Sequence, residues 1–492
     1  MRTLLGIDIG TSSVKAMLLD ADGGVIATVA KKYDVDIPGA NCAEQDPEQW
    51  WNGTVELCNR LKTEHGEAFQ KLEGIGLSGQ MHGLVTVDKN GKVLRPAILW
   101  LDQRSCAEVE EINNRISDEE RGRILHNRIY PGFAFPSLLW MKKNEPDLYH
   151  QIYKIMNPKD YIRYRLTGRI GTDVSDASAT AMFDVGKRRW AWEIIERFGI
   201  NKDIFAECRE STELAGSVDA ESARACGLLQ GIPVIYGCGD QMAQSIGNGI
   251  CGEGNIISNI GTGGQISTYT TRDIYDAKLR THTFCHAMNQ AYTVYGATLC
   301  CGLSLKWIAD KILTIGDFEQ CNRLASQIPP GSDGVIYLPY LSGERTPIMN
   351  AGAKGIIYGL KLEHDRRYLV RAVMEGIIFS LKDSLVLLES MGIKSSLVIA
   401  SGGGAVSSLM LQMQADIFEK DVRVCNVREQ ACLGACLLAG IGTGVLADLE
   451  TDGAKYVTFS DRIYKPDISN RQVYRQNFAT YHELYNNTKK MM

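Results

Sequence analysis

Apolar residues at Leu4, Leu5, Ile7 and Ile9 are followed by Gly10-Thr11-Ser12-Ser13 and then by a second apolar stretch, Val14, Ala16, Leu18 and Leu19. A glycine and hydroxyls between two apolar runs predict a strand, a tight turn and a returning strand. Asp20-Ala21-Asp22-Gly23-Gly24 turns the chain again before Val25 to Val29, so the segment predicts three antiparallel strands. One residue does not suit a plain hairpin. Asp8 puts a carboxylate inside an apolar strand, where burial is costly unless something pairs with it.

Further on, Asp46-Pro47-Glu48 predicts a helix with Asp46 as N-cap and Pro47 in its first position, running to about Arg60. Glu73 to Ser78 predicts a strand, which Gly79-Gln80-Met81-His82-Gly83 interrupts before Leu84 to Val87 resumes the pattern. Asp88-Lys89-Asn90-Gly91 is a hairpin turn. Leu99 to Arg104 leads from an apolar strand into a charged helix starting near Ala107. Residues 120 to 230 predict helices and loops with few site-like clusters. Ile232 to Tyr236 predicts a strand that ends at Gly237-Cys238-Gly239-Asp240-Gln241, with a small-residue helix after it. The second half predicts strands around 255–270 and 292–298 and helices from about 302, 366, 407 and 430.

The strand-and-turn signature occurs twice. Ile7-Asp8-Ile9-Gly10-Thr11-Ser12-Ser13 is echoed by Ser258-Asn259-Ile260-Gly261-Thr262-Gly263-Gly264, an offset of 261 − 10 = 251 residues, close to half the chain. This predicts a duplication into two domains. Two such turns facing each other would make a phosphate clamp, because glycine lets the backbone approach an anion and Thr and Ser add donors. Asp8 in the first copy is Asn259 in the second. Two carboxylates would repel a polyphosphate, whereas one can hold a hydrated Mg²⁺. Lys15 alternates onto a face that could reach the same phosphates.

Three other stretches carry candidate chemistry. Gln80-Met81-His82-Gly83 exposes side chains at a strand end, where α/β sites form. Asp240 follows small residues at a helix start and suits a base that takes a proton from a substrate hydroxyl. Ser401-Gly402-Gly403-Gly404-Ala405-Val406-Ser407-Ser408 lies between a strand and a helix, as close packing on a nucleotide requires. Trp100 to Arg104 is a weaker candidate, equally suited to surface ion pairing. There is no GxxxxGK[ST] loop, and the glycine runs do not fit the dinucleotide rule of a GxGxxG set between a strand and a helix.

A length of 492 residues exceeds one ordinary core and predicts two or three domains. With 45% hydrophobic and 23% charged residues and a net charge of −5, nothing points to nucleic acid or an anionic membrane as partner. Asp8 cuts the N-terminal apolar run, and no later run is long enough to span a bilayer, so the expected location is cytoplasmic. The 14 cysteines are scattered in apolar segments without zinc spacing, which predicts buried, reduced thiols.

In chain order, Ile7-Asp8-Ile9-Gly10-Thr11-Ser12, SGQMHG (78–83), GCGDQ (237–241), SNIGTGG (258–264), FCHA (284–287), YLSGERTP (340–347) and SGGGA (401–405) resemble the FGGY family of carbohydrate kinases, over essentially the whole chain. The resemblance implies an α/β fold of two duplicated actin-like ATPase (ribonuclease H-like) domains with an interdomain cleft. Residues 1–248 would form the sugar and phosphate side and 249–492 the nucleotide side, with the last helix, about 465–492, packing back on the N-terminal domain. It implies ATP and Mg²⁺ as cofactors, a small-molecule sugar as substrate and a homodimer as the candidate assembly. Asp240 would be the general base, and Asp8 would hold Mg²⁺ through water. Met81, His82, Asp102 and Gln241 would contact the sugar. Thr11, Ser12 and Lys15 with Gly261 and Thr262 would face the phosphates, and Gly302, Lys306, Gly403, Gly404 and Ser408 the rest of the nucleotide. The expected substrate is a ketose, D-xylulose first. Sedoheptulose, ribulose or glycerol kinases are the alternatives, and a non-catalytic actin-fold nucleotide-binding regulator a more distant one. His82 stands where glycerol kinases place an acidic residue.

Overall fold

A computed structural model describes residues 1–492. Strand β1 (Thr3–Ile9) is buried along its whole length, because helices cover both faces of its sheet. Its alternate residues divide accordingly. Leu5, Ile7 and Ile9 join a core with Trp50 and Leu57 of helix α1 (Pro47–Glu64), while Leu4 packs on the other face. Strand β1 pairs antiparallel with β2 (Ser13–Asp20), which pairs with β3 (Gly24–Lys32), as the three-strand reading expects. On its other side β1 runs parallel to β4 (Leu72–Gly79). Helices α2 (Pro158–Thr167) and α3 (Val174–Ala179) precede β5 (Leu214–Ser217) and β6 (Pro233–Ile235). The first sheet then reads β5-β6-β4-β1-β2-β3, with β7 (Cys238–Gly239) also on β4 and helix α4 (Asp240–Gly247) directly after it.

The second half repeats this plan. Strand β8 (Gly254–Ile260) forms a hairpin with β9 (Gly264–Thr270), and β10 (His282–Cys285) and β11 (Tyr292–Thr298) extend it. After helices α5 (Gly302–Trp307) and α6 (Arg366–Ser390), β12 (Ser395–Gly402) lies parallel to β8, as β4 does to β1. Helix α7 (Ser408–Phe418) leads to β13 (Asp421–Val424), and the sheet order is β10-β11-β9-β8-β12-β13.

Helix α8 (Gln430–Thr443) joins the two halves. It follows the second sheet in sequence but packs on β1 and β4 of the first and along α4. Its sequence, apolar on every side, answers to burial on every side. The approach is so close that a Cβ on Gly434 would lie 2.0 Å from the Ala243 carbonyl oxygen, and one on Gly76 2.0 Å from that of Ala435. Gly434→Ala must therefore push α4 and α8 apart. The expected loss is about 1–3 kcal/mol, the cost of overpacking, read as a lower denaturation midpoint. An unchanged midpoint would mean that the helices are not locked.

The final helix, α9 (Arg471–Thr488), corrects an expectation. It packs on the C-terminal half, not back on the N-terminal one. The Tyr474 hydroxyl donates to Glu375 Oε1 at 3.0 Å and accepts from Arg371 at 2.7 Å, and the Tyr481 and Tyr340 hydroxyls are 2.7 Å apart. Tyr474, Phe478 and Tyr481 share one helical face and pack around Phe379 of α6. The segment that crosses between halves is α8. No helix is long and apolar enough to cross a membrane.

Candidate active site

The register of three parallel strands assembles the chemistry. Asp8 on β1 lies opposite Ser78 on β4, and Ser78 lies opposite Cys238 on β7, two residues before Asp240. Both acids thus emerge at the C-terminal ends of neighbouring strands, where open α/β sheets bind ligands. Asp8 is buried, and its Oδ1 accepts from Ser78 Oγ at 2.9 Å. Burial pushes its carboxyl up, against the opposing pull of Ser78 and Lys15.

Asp240 opens helix α4. Gly237 makes the turn before it with φ +75°, and a Cβ there would lie 2.2 Å from the Leu77 carbonyl oxygen, so only glycine lets the chain double back so tightly. The Gly239 N–H donates to Ser175 Oγ at 3.0 Å, and Ser175 Oγ donates to Asp173 Oδ2 at 2.6 Å. Asp173 is held by the fully buried Lys159 at 2.8 Å, which also pairs with Asp160 and Asp176. The junction that carries Asp240 is therefore pinned from below. The carboxylate has no cation partner. Burial, then the charge of Asp8, pushes its pKa up to about 7.

On the phosphate side, Thr11 Oγ1 donates to Gln80 Oε1 at 3.1 Å and accepts from Trp100 Nε1 at 3.0 Å, while Ser12 is exposed. The matching turn, Gly261-Thr262, is stapled to the start of α5: the Gly302 N–H donates to Gly261 O at 2.9 Å and the Leu303 N–H to Thr262 O at 3.0 Å. It lines a cavity of about 560 Å³ together with Gly302, Lys306, Gly403 and Gly404. A larger cavity, about 740 Å³, lies on the outer side of the N-terminal half beside Trp51 and Arg165 and includes none of the expected site residues.

Three expected residues are placed differently. Lys15 stands opposite Asp8, but its ammonium is tied to Glu429 at 2.6 Å, a bridge between the halves rather than a free phosphate ligand. Asp102 is fully buried, and both of its carboxylate oxygens are engaged, one accepting from Ala43 N at 2.7 Å and the other from Arg104 N at 2.9 Å. Ser408 is turned toward the Tyr464 hydroxyl, and Ser407 lines the cavity instead, its hydroxyl donating to Asn322 Oδ1 at 2.7 Å.

Sequence reasoning missed Leu303, Phe318 and Asn322 of the cavity, which sit in ordinary helix patterns. It also passed over the charge-rich stretch from Lys159 to Asp176, whose density of acids within apolar segments was the available signal. On the sugar side, Met81 packs beneath Gly239 and Gln241 Nε2 lies 3.4 Å from Ser267 Oγ. His82 adopts φ +70°, a strained backbone for a non-glycine residue and a mark of a functional position. Its ring stacks on Phe133, 4.0 Å between centroids, and its Nδ1 lies 2.6 Å from the Ala179 carbonyl oxygen.

Duplicated hairpins, the second of which lines a cavity of nucleotide size, together with a carboxylate at residue 240 that no cation pairs, fit a two-domain kinase of the actin-like ATPase and sugar kinase class. The chain belongs to the FGGY family of carbohydrate kinases: the family's N-terminal domain matches residues 3–247 and its C-terminal domain residues 257–443. It is 37% identical to the xylulose kinase of Lactococcus lactis subsp. lactis, over 100% of this chain and 98% of the relative. A gluconokinase of Bacillus subtilis is 31% identical over 90% of this chain and 88% of its own length. The crystal structure of xylulose kinase from Rhodospirillum rubrum superposes with a TM-score of 0.94 at 27% identity, covering 100% of this chain and 99% of that one.

Proposed function

We propose that this kinase transfers the γ-phosphoryl group of ATP to D-xylulose, giving D-xylulose 5-phosphate and ADP. The observation that carries the reading is Asp240: a carboxylate without a cation partner, at the start of a helix on the strand end next to that of Asp8, pushed up to about 7. Such a group takes a proton at neutral pH more readily than an ordinary aspartate.

In the step, the sugar hydroxyl oxygen attacks the γ-phosphorus. Its proton passes to Asp240, and the bond to the bridging oxygen of ADP breaks in line. Thr11, Ser12, Gly261 and Thr262 bind the phosphates from the two turns. Gly302, Lys306, Gly403 and Gly404, with Ser407 in place of Ser408, border the nucleoside. Met81, His82 and Gln241 orient the sugar. Closure of the halves excludes water, which would otherwise compete as acceptor.

The residues present fit Mg²⁺. The second oxygen of Asp8 receives no protein hydrogen bond, and no cluster of three or more His, Cys, Asp or Glu side chains forms a cage of its own. One carboxylate suits a cation that keeps its waters and arrives with phosphate oxygens. Bound there, Mg²⁺ would offset negative charge on the nucleotide phosphates.

The substrate rests on the full-length likeness to xylulose kinases, and a panel tests it. ADP release with D-xylulose, other ketoses, glycerol and gluconate should give the highest kcat/KM with D-xylulose. A higher value for gluconate or glycerol would reassign the substrate and leave the phosphoryl transfer in place.

A further inference from the structure

Two motifs that carry no role so far, the strand into FCHA and YLSGERTP, meet beside His82. His282 of β10 lies 5.6 Å from Tyr130 and 4.9 Å from Tyr295, centroid to centroid. The Arg345 guanidinium sits over the Tyr130 ring, 4.8 Å from its centroid. Tyr295 ties this group to His82 through Phe284, whose ring centroid lies 5.9 Å from that of Tyr295 and 5.8 Å from that of His82. The N-terminal half thus contributes His82, Tyr130 and Phe133, and the C-terminal half His282, Tyr295 and Arg345.

Hydrogen bonding fixes what each polar group offers. The Asn127 amide donates to the carbonyls of Leu125 and Thr283, both at 2.7 Å, so its oxygen is the atom facing His282 Nδ1 at 3.0 Å. That oxygen also accepts from the Thr283 N–H. An oxygen can only accept, so His282 Nδ1 carries the proton and Nε2 is left as a lone-pair acceptor. The same logic applies to His82, whose Nδ1 faces the Ala179 carbonyl oxygen. Burial and the nearby guanidinium keep both rings neutral. Neither Nε2 has a protein partner. The Arg345 side chain makes no hydrogen bond or ion pair to protein; its contact is the face of Tyr130.

This group of side chains therefore presents two pure acceptors and one pure donor fork among aromatic rings. A hydroxyl can satisfy either histidine by donating. The guanidinium needs a group that accepts, and a carbonyl oxygen is the uncharged group that can do nothing else. We infer that Arg345 binds the carbonyl oxygen of an open-chain ketose while His282 and His82 accept from its hydroxyls, which makes Arg345 a specificity-determining residue and His282 a substrate-binding one, both contributed by the C-terminal half. This rests on the ketose kinase reading above and gives it a physical cause.

The test compares D-xylulose with xylitol, the same five-carbon chain with the carbonyl reduced, in wild-type protein, Arg345→Met, Arg345→Lys and His282→Phe. Losing a charge-assisted hydrogen bond costs about 10–100-fold. Arg345→Met should lower the kcat/KM ratio of D-xylulose to xylitol by about that factor, and Arg345→Lys should restore part of it. His282→Phe removes an acceptor that both substrates use, so it should lower both and leave their ratio unchanged. ADP binding equal to wild type shows that a variant is folded. An unchanged ratio in Arg345→Met would overturn the inference alone, and unchanged activity on both substrates in His282→Phe would overturn its histidine part. A wild-type preference for xylitol or gluconate over D-xylulose would overturn the ketose reading itself.

Discussion

Asp240→Asn should lower kcat by about 10²–10⁴-fold, the range that general-base catalysis contributes, with little change in the KM for ATP. Asparagine keeps the shape and one acceptor oxygen, so the sugar can still bind beside Met81 and Gln241. It cannot take a proton. The support below residue 240 stays intact, because the Gly239 N–H to Ser175 contact is made by backbone. The effect should therefore appear in the chemical step. Single-turnover phosphorylation measured against wild type checks this. A loss below tenfold would mean that the hydroxyl proton leaves by another route.

The second large effect belongs to Asp8. Asp8→Asn recreates in the first hairpin the residue that the second already has at Asn259. Ser78 can still donate to the remaining carbonyl oxygen, so the strand register should survive. Charge toward the cation is lost, and half-saturating Mg²⁺ should rise about 10–100-fold, the scale for groups that hold a metal from its outer shell. The pH profile should move too. In the wild type the charge of Asp8 helps to push Asp240 up to about 7, so kcat/KM should fall as pH drops through that value and protonates the base. Without the Asp8 charge, Asp240 ionises at lower pH, and the acid limb should shift downward. Kinetics across pH and Mg²⁺ concentration test both parts. An acid limb that stayed in place would mean that the two carboxylates do not interact.

Much of the fold was legible because its signals are local. Each hairpin is specified by a few contiguous residues, and their repetition half a chain apart exposed the duplication. The starts of α1 and α6 were equally readable, since Asp46 and Asp365 cap the helices they precede. The failures have a common cause. Which of Ser407 and Ser408 faces the nucleotide cavity depends on the helical phase of α7 against Asn322, and one residue turns a side chain by about 100°. Asp102 looked like a site acid because it follows a strand, but the Ala43 backbone, far off in sequence, claims it. Tyr474, Phe478 and Tyr481 made α9 a packing helix without saying which half it packs on.

By itself, then, the sequence determined the two strand-and-turn hairpins, the asymmetry of Asp8 and Asn259, and an acid at residue 240 at a helix start. These are features whose geometry is complete within a few bonds of backbone. Tertiary structure alone decided that α8 crosses to the first sheet, that Lys15 is spent on Glu429, and that Asp240 stands unpaired near Asp8. It also decided that His82, His282 and Arg345 gather around Tyr130 and Phe133. Those contacts join residues up to 432 positions apart, and long-range packing, not local propensity, chooses such partners.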